Sequence, residues 1–189
     1  MEELEQLKQT LERERPADWN DLPDLALYMD QLISYMPRQL IRFDAEEQLT
    51  PAMVNNYIKD GLVPRAEGKR YNRDHLAFLT AVCALKKVLS VKDTSVLLET
   101  VRADRPAREL YADFTRALDD ALGQTAGTLD AGTSEGQLPR LAMELALRSY
   151  ADQLACARVL AILRQRRPEP EKGKEKTKKQ QEEGEKKHA

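Results

Sequence analysis

The sequence contains few of the residues that most often carry catalytic or metal chemistry. Two cysteines and two histidines occur in 189 residues, and none of them forms a Cys-x-x-Cys pair or a Cys/His cluster with the spacing of a metal site. A Gly-rich phosphate loop, a Ser-His-Asp order and an HExxH motif are also missing. We therefore expect a protein that is not an enzyme and that needs no cofactor.

Aromatic residues and long apolar runs are scarce as well. Aromatics make up 5% of the chain, which argues against a large β-sandwich or a base-stacking surface for RNA. No window approaches the roughly 18 apolar residues of a membrane helix, and the start MEELEQLKQT lacks the basic and apolar regions of a signal peptide. Cys83 and Cys156 lie inside apolar helical patterns, so we expect both to be reduced thiols in the core. Together these observations predict a cytoplasmic protein that does not contact a membrane.

Charge is abundant, at 33% of the residues, but it is unevenly distributed. Residues 1–49 carry five basic and twelve acidic side chains, whereas residues 50–92 carry eight basic and three acidic ones. The net charge of −2 hides this local basic segment. A nucleic-acid surface is therefore compatible with the composition.

Helical periodicity runs through almost the whole chain. It predicts helices at residues 2–14, 51–60, 73–89, 93–101, 107–122 and 138–166, and another that Asp21 and Pro23 open and Pro37 ends. Residues 38–47 are predicted to be a connector with some helical character, and the Gly, Ser and Thr of residues 123–136 predict a mobile loop. The composition of residues 168–189 is that of a disordered charged tail.

The last predicted helix carries two apolar stripes. One follows alternating steps of four and three residues, which is a heptad-like pattern, through Met143, Leu147, Tyr150, Leu154, Ala157 and Ala161. The other runs through Leu138, Leu141, Leu145, Val159, Leu160 and Leu163. We expect this helix to be packed on both sides, with a homodimer contact through the first stripe at Met143, Leu147, Tyr150 and Leu154.

The stretch LTPAMVNNYIKDGLVPRAEGKRYN, residues 49–72, combines a short helix with a basic loop. Thr50 is a suitable N-cap, Pro51 suits the first helical position, and Gly61 suits the end of the helix. The apolar spacing turns Ala52, Asn55, Asn56 and Lys59 outward. Residues 62–71 contain Pro64 and Gly68, which predicts a loop or a small hairpin with a basic tip.

This order of parts resembles the DNA-binding domain of MerR-type winged helix-turn-helix regulators. In those proteins an Arg-Tyr-Tyr run in the recognition helix precedes a Gly-Leu pair, and the wing ends in Arg-Tyr before the next helix. The residues that match are Tyr57, Gly61, Leu62, Arg70 and Tyr71, and the start of the next helix is approximated by Asn72, Asp74 and Leu76. The sequence departs from that family at two points: Asn55 and Asn56 replace the Arg-Tyr pair, and the wing is about one residue shorter.

A closer resemblance covers residues 25–100. The segments LYMDQLISYM and LTPAMVNNYIKDGLV are similar to those of an uncharacterised bacterial family of unknown function with an LT-x-x-MINNY-like core, and His75 stands where that family has a histidine. The resemblance implies a mostly α fold, with a MerR-like winged helix-turn-helix core, flanking helices and a small β-hairpin wing. It implies DNA binding but identifies no ligand.

The chain is accordingly divided into four parts. Residues 1–24 form an N-terminal helix and linker, and residues 25–100 form the winged helix-turn-helix domain. Residues 101–167 form a helical region for dimerisation or effector binding, and residues 168–189 form the tail.

The resemblance and the basic segment together predict a transcriptional regulator that binds double-stranded DNA. Exposed asparagines can form bidentate hydrogen bonds with adenine, and lysines and arginines neutralise phosphates. The predicted DNA-contacting residues are Thr50, Asn55, Asn56, Lys59, Arg65, Lys69, Arg70 and Arg73. A homodimer is expected because a single winged helix covers too little DNA for tight specific binding.

Each feature also has a plain structural interpretation. An asparagine pair or a basic hairpin tip is often only a solvated surface, and His75 near a helix start is more often a capping or packing residue than a ligand. The alternative function is that of an adaptor that has kept the fold, has lost specific DNA binding and binds a protein through the helix at residues 138–166 or through the acidic N-terminal half. The missing Arg-Tyr pair favours this alternative.

Overall fold

The computed structural model describes residues 2–43, 48–102 and 105–166. Over these ranges the chain forms seven α-helices, and its β-structure is limited to isolated β-bridges. The helices are α1 (Glu2–Arg13), α2 (Met29–Tyr35), α3 (Pro51–Lys59), α4 (Arg73–Leu85), α5 (Val91–Arg102), α6 (Ala107–Ala126) and α7 (Leu138–Arg166). Short 3-10 turns occur at Trp19–Asp21, Met36–Arg38 and Glu135–Gln137. The expectation of a mostly helical fold is confirmed.

Helix α4 is the centre of the core, and every residue from His75 to Val82 is buried. Helices α1 and α4 both pack on α6, and α2 packs on α3. The Tyr111 hydroxyl of α6 donates to the carbonyl oxygen of Ala17 at 2.8 Å and to the side-chain oxygen of the buried Gln39 at 3.3 Å. These bonds hold the segments on either side of α2 against α6.

Helix α7 projects from this body. It packs on α5, where Leu160 is buried and Arg164 forms an ion pair with Asp93. Most of the other α7 side chains are exposed, including those of the heptad-like stripe from Met143 to Ala157, whereas Ala161 at its end is half-buried. The expectation that α7 is packed on both sides is therefore wrong for a single copy of the chain.

Several helix boundaries differ from the prediction. Helix α2 begins at Met29, because Leu27 is extended and exchanges two backbone hydrogen bonds of 2.8 Å with Tyr71; Leu25 before it is exposed. Helix α4 ends at Leu85 in a turn that leads to α5, and α6 continues to Ala126, beyond the start of the predicted loop.

The remaining predicted segments fall partly outside the described residues. The described part of the connector at residues 38–47 contains the end of a 3-10 turn, and residues 44–47 lie outside the description, as do residues 168–189. In the described part of the chain, no helix combines the length and the apolar character needed to cross a bilayer.

Candidate functional site

The start of α3 follows the predicted capping pattern. The hydroxyl of Thr50 accepts the backbone N–H of Met53 at 3.2 Å, and Pro51 occupies the first helical turn. This cap satisfies one of the amide donors that a helix start leaves open. The cap uses one lone pair of the hydroxyl and one backbone amide, whereas the hydroxyl proton can still be donated to a phosphate. The structural role of Thr50 therefore does not exclude its predicted contact with DNA.

The end of α3 is fixed by a glycine turn. Gly61 has a φ of 75°, and its N–H donates to the carbonyl oxygen of Ile58 at 3.1 Å while that of Leu62 donates to Tyr57 at 2.8 Å. This pair of bonds is a Schellman motif, which needs a left-handed residue at the position of Gly61. Because Leu62 is buried, the motif sets the direction in which the following basic segment leaves the helix.

The two faces of α3 differ as predicted. Val54 and Tyr57 are buried in the core. The outer face consists of Ala52, Asn55, Asn56 and Lys59, all of which are exposed. Within the residues that the structure describes, the side chains of Asn55, Asn56 and Lys59 form no hydrogen bond or ion pair, so their polar groups point to solvent unpaired.

The basic segment after α3 contains a tight turn. Gly68 and Lys69 have φ values of 57° and 61°, and the N–H of Arg70 donates to the carbonyl oxygen of Glu67 at 3.0 Å. Two consecutive left-handed residues define a type I′ turn, the type that joins the strands of tight hairpins. The flanking residues form a bridge rather than strands in this part of the described chain, so the structure has the turn of a hairpin without its ladder.

Arg70 is held in place by an aromatic neighbour that sequence reasoning missed. Its guanidinium donates to the Tyr28 hydroxyl at 3.0 Å and lies 5.2 Å from the centre of the Tyr28 ring. The backbone bridge between Leu27 and Tyr71 lies directly beside this contact. The two residues are 42 positions apart, so no local spacing could have revealed the pair.

His75 connects the basic segment to α4. Its Nδ1 accepts the backbone N–H of Asn72 at 3.1 Å, the Asn72 side chain accepts the N–H of His75, and Nε2 lies 3.2 Å from the carbonyl oxygen of Arg65. Nδ1 also lies 2.6 Å from the side-chain oxygen of Asn72, so both ring nitrogens contact polar groups of the chain. The ring is buried and meets Tyr71 edge-on, so the interpretation of His75 as a capping residue is confirmed.

Replacing His75 by alanine will destabilise the protein. The change removes the ring's half of the reciprocal cap and leaves the backbone N–H of Asn72 and the carbonyl oxygen of Arg65 without their ring partners, which costs about 1–3 kcal/mol. Urea unfolding followed by circular dichroism measures the change in the free energy of unfolding. The exposed neighbour Asp74, replaced by alanine, is the matched control and should cost well under half as much; equal losses would contradict the bridging role of His75.

The predicted phosphate contacts are not equivalent. The guanidinium of Arg73 donates to the carbonyl oxygens of Leu22 at 2.9 Å and Asn20 at 3.4 Å, and Arg73 is half-buried. It therefore ties the segment before α2 to α4. Arg65 and Lys69 are exposed and form no ion pair within the described residues, which leaves them open to solvent.

The stripe on α7 lies away from α3 in the sequence and is uncovered. Met143, Leu147, Tyr150 and Leu154 are each more than half exposed. Single exposed apolar residues are common on protein surfaces, but a continuous row on one side of a long helix marks an interaction surface.

Neither a metal centre nor a disulfide is suggested by the described residues. No group of three potential metal ligands comes together there, and Cys83 and Cys156 are free thiols. Both cysteines are half-buried, which is less than the full burial expected for core residues.

The fold and the site define a mostly helical protein with an exposed polar helix, a basic turn and a projecting apolar stripe. The family model described as a domain of unknown function (DUF1836) matches residues 17–114, and the chain belongs to this family. The matched region contains α2 to α5 and includes the predicted core at residues 25–100. Searches among curated proteins and among solved structures gave no significant match. Membership of a family of unknown function is thereby confirmed, whereas the relation to MerR-type regulators stays a prediction.

Proposed function

We propose that this protein is a non-enzymatic, cytoplasmic transcriptional regulator that binds double-stranded DNA as a homodimer. In this proposal α3 is the recognition helix of a MerR-like winged helix-turn-helix, and the turn at residues 67–70 takes the place of the wing. The observation that supports it most strongly is the outer face of α3, where Asn55, Asn56 and Lys59 are exposed and unpaired within the described chain.

The dimensions of α3 suit the major groove. A helix with its side chains is about 10–12 Å across, and the major groove is about 12 Å wide. The nine residues of α3 extend about 13 Å at 1.5 Å per residue. Lys59 follows Asn56 by three positions and Asn55 by four, so the three side chains share one face. Each asparagine amide can donate to and accept from one adenine edge, which gives the helix a means of reading sequence.

The basic turn would contact the DNA backbone. Over residues 59–74 five cationic side chains accompany three carboxylates, so the segment has a net positive charge. Arg70 already rests on Tyr28, and a side chain that is ordered before binding loses less entropy on contact with a phosphate. Lys69, Arg70 and Arg65 are the primary backbone contacts in this proposal, and Arg73 contributes mainly by holding the scaffold.

The stripe on α7 would form the dimer. Its heptad spacing is that of a coiled-coil seam, and its apolar residues are exposed in the single chain. A second copy in antiparallel orientation sets Met143 against Ala161, Leu147 against Ala157 and Tyr150 against Leu154. Large residues then oppose smaller ones, whereas a parallel arrangement would create two alanine–alanine layers with empty space.

The same antiparallel arrangement is electrostatically favourable. It brings Glu144 of one copy beside Arg158 of the other, and the twofold axis repeats this contact. Both side chains are exposed in the single chain. Opposite charges at these flanking positions help to set the orientation of a coiled coil.

An adaptor remains the second candidate function, and the observation that favours it is also the exposed stripe on α7. An amphipathic helix of a different protein could cover the same row of apolar residues. In that case the polar face of α3 would be an ordinary solvated surface.

Changing Lys69 to asparagine and Arg70 to glutamine will weaken binding to every DNA sequence. Asparagine keeps the left-handed conformation at position 69 accessible, so the turn should persist while two phosphate contacts are lost. Each phosphate contact contributes about 0.9 to the slope of log K against log salt, so the slope should fall by about 1.8. Fluorescence anisotropy across a salt series measures both effects.

The matched control replaces Arg108 and Arg148, two exposed arginines on α6 and α7, by glutamine. This variant carries a comparable loss of positive charge and should retain the salt slope of the unmodified protein. An unchanged slope in the Lys69 and Arg70 variant would overturn the assignment of the turn to the DNA backbone.

A further inference from the structure

A large cleft lies on the side of α3 opposite the proposed DNA face. It is an open cleft with a volume of about 900 Å³, and it is lined by the end of α1, by residues 37–42 and 48–49, and by parts of α3, α4 and α6. Small-molecule sites usually have volumes of about 300–1,000 Å³. The recess is therefore of the size of a ligand site, and walls from several separate elements give it a defined shape.

The rim of the cleft is strongly basic. Among the described residues that line it, six are cationic and Glu14 is the one carboxylate; the cationic residues are Arg13, Arg15, Arg38, Arg42, Lys86 and Lys87. Four of these come from residues 1–49, which as a segment are acidic. Folding thus collects nearly all the cations of an acidic segment at one site.

Some of the cations on the rim already bind other groups of the protein, and others form no ion pair among the described residues. Arg15 is paired with Asp119 at 2.5 Å and also donates to backbone carbonyls, and the ammonium of Lys86 donates to the carbonyl oxygen of Leu89. Arg13, Arg38 and Arg42 form no ion pair with the part of the chain that the structure describes. Among the described residues, these three guanidinium groups therefore have no carboxylate that competes with an anion from solution.

The interior of the cleft is apolar. The side chains that form it include Leu40, Ile41, Leu49, Tyr57, Leu118 and Leu122. Burial raises the pKa of the Cys83 thiol in this wall to about 11, against the opposing effect of the Arg42 guanidinium. A thiol that resists ionisation beside a guanidinium indicates a poorly hydrated wall with a positive charge at its edge.

The basic wall is held rigidly from behind. Gln39 lies between Arg38 and Leu40, is buried, and accepts the Tyr111 hydroxyl of α6 at 3.3 Å. The backbone that carries Arg38 is therefore anchored to α6 rather than supported by solvent alone. The backbone of this wall therefore needs little rearrangement when a ligand binds.

We propose that the cleft binds a small amphipathic anion, with a carboxylate or phosphate head group at Arg38 and Arg42 and an apolar body against Leu118 and Leu122. The basic rim supplies charge complementarity for the head, and the apolar interior removes the body from water. Neither a fully polar anion nor an uncharged apolar molecule uses both parts of the site.

This site does not depend on the proposed DNA contacts. Met53 and Tyr57 of α3 line the cleft, whereas Asn55 and Asn56 lie on its outer face. Ligand binding can therefore be measured without DNA, and failure of one proposal leaves the other standing.

The test uses isothermal titration calorimetry of the full chain with four probes. Dodecanoate and dodecyl phosphate are used below their micellar concentrations, 1-dodecanol below its solubility limit, and inorganic phosphate is the fourth probe. We expect saturable binding of at least one of the two amphipathic anions with one site per chain, and at least about tenfold weaker binding of dodecanol and of inorganic phosphate. Changing Arg38 and Arg42 together to glutamine should weaken the amphipathic anion at least about tenfold.

The matched control again changes Arg108 and Arg148 to glutamine, since neither residue lines the cleft, and it should bind the probe like the unmodified protein. Circular dichroism verifies that both variants are folded. Equal affinity for dodecanol would overturn the role of the basic rim, and an equal loss in the control would show a general effect of charge. Absence of saturable binding of either amphipathic anion would overturn the proposal as a whole.

Discussion

Changing Asn55 and Asn56 together to glutamate will abolish sequence-specific DNA binding. Each bidentate contact between an amide and a base contributes about 1–3 kcal/mol of discrimination, and two contacts are lost at once. The two new carboxylates would also be repelled by the DNA phosphates. We expect affinity for the selected site to fall at least about 100-fold, since 1.4 kcal/mol corresponds to a factor of ten. Fluorescence anisotropy with the selected duplex and with an unrelated duplex separates specific from general binding.

The fold should survive this change, because both side chains are exposed and unpaired within the described chain. The matched control changes the exposed Gln124 and Gln165 to glutamate, which alters the net charge equally on α6 and at the end of α7. The control should retain most of the affinity. If the α3 variant binds the selected duplex as tightly as the control does, α3 is not the recognition helix and the adaptor becomes the better account.

Changing Leu147 and Leu154 together to lysine will convert the proposed dimer to a monomer. The twofold axis places four lysines in the apolar seam, where their charges have no partner. Both leucines are more than half exposed in the single chain, so the change should not disturb the core of the protomer. Sedimentation velocity at about 10 μM, near the affinity range of modest protein interfaces, should show one species of twice the chain mass before the change and a monomer after it.

The control for this experiment changes Ser149 and Ala155 to lysine. Both are exposed and lie off the stripe on the same helix, so the dimer should persist. An unmodified protein that is already monomeric at this concentration would contradict the dimer proposal, and so would a dimer that survives lysine at both stripe positions.

The antiparallel orientation has its own test. In a background with Cys83 and Cys156 changed to alanine, cysteine at position 153 should form a disulfide with its own copy on mild oxidation. The antiparallel arrangement sets the two copies of residue 153 beside each other at the edge of the seam, whereas a parallel one separates them across it. A dimer that gives no cross-link at position 153 would contradict the antiparallel orientation while leaving the stripe in place.

Local signals in the sequence were sufficient to predict the helices whose bounds depend on residues nearby in the sequence. The Thr50 cap, Pro51 and the Gly61 turn defined α3 correctly, since each acts on backbone groups within a few residues. The bounds of α7 were also predicted correctly, because an unbroken apolar period and the absence of internal breakers define a long helix. The outward orientation of Asn55, Asn56 and Lys59 followed from the same period.

Tertiary contacts explain where the prediction failed. The apolar residues before Met29 suggested an earlier helix start, but Leu27 pairs with Tyr71 from beyond α3 and is extended for that reason. The contact of Arg70 with Tyr28 and the anchoring of Arg73 on Leu22 likewise join distant parts of the chain. Patterns within one window carry no information on such contacts.

The basic cleft escaped detection for a related reason. Counting charge by segment assigned residues 1–49 to an acidic region, although Arg13, Arg15, Arg38 and Arg42 of that region converge at one rim. The signal was present as four arginines, but only the fold brings them together. The packing of α7 on both sides was predicted wrongly for a single chain, because periodicity shows which residues are apolar and not whether a neighbour reaches them.

The most direct test of the DNA-binding proposal is selection of bound sequences from a random duplex library, followed by anisotropy of the enriched duplex across a salt series. The account predicts enrichment of a palindrome, with half-sites spaced for a twofold dimer and binding that weakens steeply with salt. A library that shows no enrichment, with at most weak binding that salt abolishes for every duplex, would contradict it.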